Sequence, residues 1–297
     1  MVQPGAHIDV DRGNEPSRVS SLIKKTDSLI TYFQLYFILE GFAEANSDTD
    51  QSTLQDCTPK ENLMNAQKKI YLKLINMCAE AQIPEPTLTA FSGLKGSKYK
   101  GDLLVVGRAV NGWIKSWAPK EGRKTATQDK MFSNLDIWDA DGMNWVWDQE
   151  GSTTEYNTRR SAFWRVIKKV TLSKGIASAE EHWSTSIAWT NLYKFSNGNK
   201  GNPSGQLCRL QFEDCRAILF DEIKQMKPKV ILFLAGTLWV TPFIAQLKTV
   251  EKLATKTTYL EERGTLAVDG HSCRYIIAPH PQGKPESVIV DEILKAW

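Results

Sequence analysis

The sequence has few cysteines and no long hydrophobic run, and each shortage excludes a class of protein. Its five cysteines form no Cys-x-x-Cys pair, so neither a disulfide framework nor a zinc site is indicated. Its longest apolar runs, "VILFLAG" and "LLVVG", fall far short of the roughly 20 residues that span a bilayer. No signal peptide opens the chain. We therefore expect a cytoplasmic protein with reduced thiols and no membrane partner.

Motifs that hold nucleotide cofactors or build nucleophilic sites are also missing. The segment "GRAVNG" is not Gly-x-Gly-x-x-Gly, and neither a P-loop pattern nor a Gly-x-Ser-x-Gly elbow occurs. A metal site would need more His and Asp than the predicted strand ends carry. We therefore expect neither an organic cofactor nor a metal ion. The net charge of +3 is compatible with nucleic acid but does not by itself argue for it.

The patterns that are present divide the chain into three parts. Residues 1–18 are polar and are predicted to form a flexible tail. Residues 19–100 carry apolar positions at helical spacing, over about 19–45 and again over 62–82, which predicts a helical region packed on the core. Residues 101–297 alternate short apolar strands with amphipathic helices. The apolar content of 41% permits a full core.

Four apolar segments are the predicted strands: "DLLVVG", "SIAWTNL", "KVILFLAG" and "CRYIIAPH". Helices between successive strands imply right-handed crossovers and parallel pairing, with both faces of the sheet covered. The prediction is an α/β fold with three α/β/α layers around a four-stranded, mainly parallel sheet, plus the N-terminal helices. The segment "VDGHSCRY" adds a predicted hairpin with a type I′ Asp-Gly turn, in which His271 is structural.

In a parallel sheet the ligand lies outside the carboxyl ends of the strands, so the loops that follow them are informative. Those loops are "GRAVNGW", "NLYKFSNGNKGNPSGQ", "AGTLW" and "HPQGK". They bring side chains that are rich in amides and cations and poor in acids to the carboxyl edge of the predicted sheet. These are Arg108, Asn111, Asn191, Lys194, Asn197, His280 and Lys284. One of only four histidines thus lies at the predicted binding edge.

Three segments, "VVGRAVNGW", "AWTNL" and "APHPQGKP", resemble motifs of the uracil-DNA glycosylase superfamily in their order and in their placement at strand ends. The resemblance covers roughly residues 100 to 297. It implies that His280 donates a hydrogen bond to the departing base, that Asn191 reads a base edge, and that the loop after His280 enters the DNA groove. The residues then expected to contact DNA are Lys194, Lys200, Gln282, Gly283 and Lys284.

The first motif departs from the superfamily pattern. The position two after Gly107, which holds the water-positioning acid or amide in the superfamily, is Ala109 here. The nearest amide is Asn111, and an acid from "NLDIWDADGMNWVWDQEG" is the alternative. That segment holds Asp136, Asp139, Asp141 and Asp148. Loss of hydrolysis is a third alternative. The predicted catalytic residues are His280, Asn111 and Asp148.

The segment from Lys115 to Glu150 is longer than its counterpart in the superfamily and is rich in tryptophan. Indole rings stack on flat ligands, so these side chains are candidates for the wall of a base pocket. A small residue at position 109 beside an enlarged aromatic wall predicts a base bulkier than uracil. The predicted substrate-binding residues are Gly107, Arg108, Ala109, Asn191, Trp113, Trp145 and Trp147.

These observations predict a monofunctional DNA glycosylase that flips out a modified base, hydrolyses its glycosidic bond and leaves an abasic site, acting as a monomer. Some bacterial glycosylases that resemble this superfamily attack hypermodified phage DNA, which opens an antiviral role. The alternative, favoured by Ala109, is a non-catalytic module on the same fold that binds nucleic acid or a nucleotide. A nucleoside hydrolase is a third interpretation. Structural roles also stay open, with His280 as a helix cap and Asn191 as a turn residue.

Overall fold

The computed structural model describes residues 59–135, 142–153, 156–178, 182–199, 201–251 and 257–297, with side chains from residue 66 onward. The tail predicted over residues 1–18 and the helix predicted over residues 19–45 lie outside these ranges. The described residues belong to one compact unit, Cys57–Trp297. Within the described ranges, no helix is both long and apolar enough to cross a bilayer.

Helices and strands alternate along most of the chain. In order they are α1 (Pro59–Glu80), β1 (Leu88–Ala90), β2 (Leu94–Lys95), β3 (Leu103–Gly107), α2 (Thr125–Leu135), α3 (Asn144–Asp148), α4 (Ala162–Ser173), β4 (Ala188–Asn191), β5 (Phe195–Asn197), α5 (Gly205–Met226), β6 (Val230–Leu234), α6 (Thr237–Ile244), β7 (Lys248–Val250), β8 (Glu262–Val268), β9 (His271–Ala278) and α7 (Glu286–Ala296).

The main sheet has seven strands in the order β2-β4-β3-β6-β9-β8-β7. The four strands predicted from the sequence, β3, β4, β6 and β9, pair in parallel. β2 pairs antiparallel with β4, and β7 and β8 extend the opposite side in antiparallel pairings. The α/β class is therefore confirmed, while the sheet is larger and mixed instead of four-stranded. The added strands escaped prediction because β2 and β7 are only two and three residues long.

Helices cover both faces of this sheet because its central strands are apolar throughout. All five residues of β3 are buried. Successive side chains of a strand point to opposite faces. Val105 therefore packs with α4 and α7, whereas Leu104 packs with α5 and α6. The described thiols of Cys78, Cys208, Cys215 and Cys273 are buried and form no disulfide with one another.

The hairpin between β8 and β9 confirms the predicted type I′ turn. Asp269 and Gly270 both have positive φ, 46° and 77°, the conformation that such a turn requires. His271 pairs with Val268 across the hairpin, and its Nε2 lies 2.9 Å from the Pro228 carbonyl oxygen. His271 is thus a structural residue at the amino end of β9, as expected.

The N-terminal region is helical only in part. α1 confirms the helix predicted over 62–82, and it packs through Tyr71, Leu74 and Ile75 against residues of α5. From Leu88 onward the expected helical character is wrong, because β1 pairs with β5 and β2 pairs with β4. Backbone pairing with strands far along the chain therefore decides the structure of this segment.

Candidate functional site

The carboxyl ends of β3 and β4 lie side by side, and Gly107 is in register with Asn191. Backbone bonds continue this pairing beyond the strands, from the Leu192 N–H to the Gly107 carbonyl and from the Tyr193 N–H to the Arg108 carbonyl, both at 2.9 Å. A Cβ at Gly107 would overlap the Oδ1 atom of Asn191. Glycine is therefore what allows the Asn191 amide to lie against the backbone of β3.

Asn191 is almost fully buried, with 1% of its surface exposed. Its Nδ2 finds no hydrogen-bond acceptor among the described residues. A buried donor without an acceptor costs free energy, so such groups are uncommon and often serve a ligand. The unpaired Nδ2 therefore makes the end of β4 a candidate binding position for an acceptor atom.

His280 follows β9 at the same edge of the sheet, two residues after Ala278. The Gln282 N–H donates to its Nδ1 at 3.3 Å, so the neutral ring carries its proton on Nε2. Desolvation lowers the pKa of His280, and the positive charges of Lys284 and Arg108 lower it further. The result is a neutral imidazole at pH 7 that offers an Nε2–H donor.

Phe163, near the start of α4, joins these groups. Its ring lies nearly parallel to the His280 ring, with centroids 5.8 Å apart and planes at 14°. The same ring lies beside Gly107, 3.4 Å from where a Cβ would stand. Gly107, Asn191 and His280 are thus brought together around Phe163. Phe163 was not among the predicted site residues, because nothing in the sequence showed which groups it contacts.

Trp113 and Trp145 meet Trp189 of β4 in one aromatic cluster, with ring centroids 5.5 to 5.8 Å apart. Trp189 and Asn191 are two residues apart on β4, so they face the same side of the sheet. The Nε1 atoms of all three tryptophans are buried and have no acceptor within the described part of the chain. Three indole donors therefore share the unpaired state of the Asn191 amide. Trp189 was not among the predicted site residues.

Trp147 does not belong to this cluster. Its ring stacks on His182, with centroids 4.6 Å apart, and the Lys168 ammonium lies 5.3 Å from its centroid. Asp148 is exposed at the end of α3. The acid that this segment holds in place is instead Glu150, which accepts from Lys168 Nζ and Trp183 Nε1, both at 2.9 Å.

Glu150 lines a small cleft of about 100 Å³ together with Trp164 and three cations, Arg159, Arg165 and Lys168. No sequence motif singles out this acid, because its partners, Lys168 of α4 and Trp183, follow it by 18 and 33 residues. The other predicted acids, Asp136, Asp139 and Asp141, lie outside the described residues.

Asn111 is exposed and its Oδ1 accepts a hydrogen bond from the Gly201 N–H. Its carbonyl oxygen therefore ties two loops of this edge together. Between Gly107 and Asn111, Ala109 is half-buried against the side of the sheet covered by α5 and α6, and the Val110 carbonyl accepts from Ser196 Oγ at 2.6 Å. The first loop is thus held to β5 by Ser196 and to the loop after β5 by Gly201.

Lys194 requires a correction, because its side chain is fully buried and no phosphate can reach it. Its Nζ donates to Glu222 Oε2 at 2.6 Å, to Thr190 Oγ1 at 2.7 Å and to the Asn191 carbonyl at 2.9 Å. Sequence could not separate this lysine from a surface one, since Glu222 lies 28 residues away on α5. The predicted DNA contact of Lys194 is therefore wrong. The residue instead holds the backbone of Asn191 through the hydrogen bond to its carbonyl.

The remaining cations lie at the surface of the same edge. Arg108 stacks its guanidinium on Trp239, with Cζ 4.4 Å from the ring centroid, and its Nε donates to Asn202 Oδ1 at 3.0 Å. Lys284 Nζ donates to the His280 carbonyl at 3.1 Å. The side chain of Gln282 is exposed beside Gly283, whose φ of 74° forms the turn. Lys200 lies outside the described residues.

Among the described residues, no group of three or more His, Cys, Asp or Glu side chains is arranged to hold a metal ion. No protein-family model matches this chain, and a search of curated proteins found no match either. The site is therefore interpreted from its own geometry.

Proposed function

We propose that this protein is a DNA glycosylase that extrudes a modified base and hydrolyses its glycosidic bond, leaving an abasic site. The observation that carries the proposal is the meeting of Gly107, Asn191 and His280 around Phe163 at the carboxyl edge of the sheet. A buried amide donor and a neutral imidazole donor at one point suit a flat ligand that becomes negatively charged.

In the proposed reaction the bond between C1′ and the base nitrogen breaks with its electron pair going to the base. The sugar becomes oxocarbenium-like, and the base becomes an anion that His280 Nε2–H stabilises. Because the pKa of His280 is lowered, the imidazole donates without first carrying a charge. Water then adds to C1′, and the proton it loses passes through the solvent to the base anion, so that a neutral base is released. Removal of one such preorganised donor costs about 10²–10³-fold in rate in other enzymes.

The unpaired indole donors support the proposal that the substrate base is modified. Trp113, Trp145 and Trp189 contribute three buried N–H groups that, like the Asn191 amide, have no acceptor among the described residues. A base whose C5 substituent carries hydroxyl oxygens would place acceptors where uracil has none, and each pairing with an indole N–H removes the cost of a buried unpaired donor. Hydroxymethylated and glycosylated cytosine are the substrates we propose to test first. Excision of such bases would fit a defence against phage DNA.

Two residues are proposed to hold the attacking water, Asn111 through its amide Nδ2 and Asp148 through its exposed carboxylate. The proposed enzyme needs no metal or organic cofactor for this step, and we propose that it acts as a cytoplasmic monomer. Replacing each residue by alanine decides between them. Only the replacement of the residue that holds the water should abolish base release while DNA binding persists.

The test uses single-stranded and duplex oligonucleotides that carry uracil, hydroxymethylcytosine or glycosylated cytosine. Released base is identified by mass spectrometry, and abasic sites are cleaved with hot alkali. We expect release of a modified base by the wild-type protein and its loss in His280→Ala. The matched control is His271→Ala, which removes the histidine from the opposite end of the same strand. Release confined to plain uracil would contradict the modified-base proposal, and no release at all would contradict the glycosylase.

The second candidate function is a non-catalytic module that binds nucleic acid or a nucleotide at the same edge. Ala109 stands where the superfamily has its water-positioning residue, and the Oδ1 of Asn111 is engaged by Gly201. This function predicts a mobility shift of modified DNA that stays intact after alkali. A nucleoside hydrolase would instead cleave free nucleosides with little dependence on salt.

A further inference from the structure

Arg108, the residue after β3, carries a guanidinium that contacts from three other residues hold in place. Its backbone carbonyl accepts from the Tyr193 N–H at 2.9 Å. Its Cζ lies 4.4 Å from the centroid of the Trp239 ring, and its Nε donates to Asn202 Oδ1 at 3.0 Å. The Trp239 ring itself meets the buried Tyr193 ring edge-to-face, with centroids 6.1 Å apart. The guanidinium is therefore ordered before any ligand arrives, which lowers the entropy cost of binding.

The charge of this guanidinium has no counter-ion among the described residues. Arg108 is half-buried, and desolvation lowers its pKa. Its Nε is engaged by Asn202, but no described carboxylate or carbonyl accepts from its Nη1 and Nη2 atoms. The exposed acid at this edge, Glu261, accepts instead from the Thr237 hydroxyl at 2.8 Å and from the Thr237 backbone N–H. A partly desolvated cation without a partner costs free energy, so the two Nη groups favour an incoming anion.

The geometry of these N–H groups selects the kind of anion. The Nη1 and Nη2 atoms of a guanidinium lie in one plane and donate in parallel, which fits two oxygens of a phosphate or a carboxylate. DNA carries one phosphodiester per nucleotide and no carboxylate. Arg108 follows Gly107 directly, and its charge acts on His280. A phosphate bound to Arg108 therefore lies beside the place of the reacting nucleotide.

We propose that Arg108 binds a DNA phosphodiester next to the target nucleotide through its two Nη groups, and that Trp239 and Asn202 hold the guanidinium in the orientation that this contact needs. The proposal rests on the proposed function, because that function makes DNA the ligand. Phosphate contacts fix the register of a nucleic acid without reading its sequence. Arg108 thus sets where the strand lies over Asn191 and His280. Trp239 and Asn202 are positioning residues that act through Arg108.

The experiment neutralises one phosphate at a time and measures Kd. The oligonucleotides carry the modified base on a 2′-fluoro sugar, which slows glycosidic cleavage, and a single methylphosphonate linkage is moved along the strand. For the wild type, a methylphosphonate at one of the two linkages beside the modified nucleotide should raise Kd roughly tenfold or more. For Arg108→Ala the same replacement should change Kd by no more than about twofold, because the group that contacts the charged phosphate is already absent.

Two further variants separate charge from orientation. Arg108→Lys keeps the charge but loses the planar fork, and Trp239→Leu keeps Arg108 but removes the ring on which it stacks. Both should show a smaller methylphosphonate effect than the wild type, whereas a merely structural role of Trp239 would leave that effect unchanged. The matched control is Arg216→Ala. Arg216 also lies over an aromatic ring, 5.7 Å from the Phe212 centroid, but it pairs with Glu213 at 2.6 Å, so its loss should leave the wild-type pattern.

The outcomes separate this proposal from the glycosylase. A linkage coupled to Arg108, without base release from the ordinary sugar, would retain the phosphate contact and refute the glycosylase. Base release with no linkage coupled to Arg108 would retain the glycosylase and refute the phosphate contact. If no linkage is coupled and a deoxynucleoside monophosphate binds the wild type but not Arg108→Ala, the guanidinium binds a free nucleotide and the proposal is wrong. A full methylphosphonate effect in Arg108→Lys would overturn the role of Trp239 and Asn202.

Discussion

Gly107 sets the position of Asn191, because hydrogen is the only side chain that fits between the backbone of β3 and the Asn191 amide. We predict that Gly107→Ala lowers the rate of base release by roughly 100-fold, since displacement of a reacting group by about 1 Å can cost that much. The measurement is the single-turnover rate with the best modified oligonucleotide.

The control for this change is Gly205→Ala at the start of α5, where a Cβ would meet its nearest neighbour at an ordinary 3.6 Å. That variant should keep the wild-type rate. If Gly107→Ala also keeps it, Asn191 does not need its observed position.

The protonation of His280 gives a prediction for stability against pH. Its folded pKa lies below the ordinary value of about 6.5, because of desolvation and the charges of Lys284 and Arg108. As pH falls from about 6.5 towards the folded pKa, the unfolded chain binds the proton first, so the free energy of unfolding decreases. The loss is complete below the folded pKa, and the contribution is full above about 6.5.

Urea unfolding of wild type and His280→Gln at several pH values measures this linkage. The stability of the wild type should fall relative to the variant as pH decreases through that window. An NMR titration of the His280 ring should give a midpoint below 6.5. A midpoint above that value would show that the ring stays charged up to a higher pH than proposed here and would remove the neutral-donor argument.

The turn after β4 is held by a buried ion pair between two elements, Lys194 beside β4 and Glu222 of α5. Glu222 also accepts from the Gly93 N–H at 2.8 Å and from Thr190 Oγ1 at 2.7 Å. Removing one member of a buried pair leaves the other charge without a partner, which costs about 3–5 kcal/mol. We predict that Glu222→Gln lowers the free energy of unfolding by about that amount.

Chemical denaturation measures this effect. The control is Asp214→Asn, on the same helix as Glu222. It breaks the more exposed pair between Asp214 and Lys73 of α1 and should cost about 1 kcal/mol or less. The double variant Lys194→Met with Glu222→Gln should be destabilised by less than the sum of the single changes. Additive effects would mean that the two side chains do not act as a pair.

A second pairing connects α4 to α7 and thereby sets Phe163 against His280. Arg165 Nε donates to both carboxylate oxygens of Glu286, at 3.1 and 3.0 Å, and this pairing holds the pKa of Glu286 below its usual range. Phe163 precedes Arg165 by two residues, and Glu286 follows His280 by six. The ring stack at the site thus depends on a contact between helices.

For the whole molecule, the proposed DNA surface is the carboxyl edge of the parallel strands. We predict that Lys284→Ala reduces the slope of log K against log salt by about 1, the effect of one lost phosphate contact. Lys229→Ala should leave the slope unchanged, because Lys229 precedes β6 at the opposite edge, where it pairs with Asp102. Equal effects of the two variants would place the DNA elsewhere.

Local patterns carried a large part of the fold. The apolar runs identify β3, β4, β6 and β9, whose burial on both faces requires continuous hydrophobicity. The Asp-Gly pair predicts the hairpin turn, because these two residues tolerate the positive φ angles that the turn requires. The short strands β2 and β7 could not be found this way, because two or three residues hold no periodic signal.

The residue types and order of the chain thus placed Gly107, Asn191 and His280 at one edge, because parallel strands end together and loops must follow them. Tertiary structure alone decided which neighbours these residues have. It put Phe163 between them, buried Lys194 with Glu222, and left Nδ2 of Asn191 without an acceptor in the described chain. The physical reason is that burial and hydrogen bonding depend on partners brought from distant helices, and no local pattern encodes those distances.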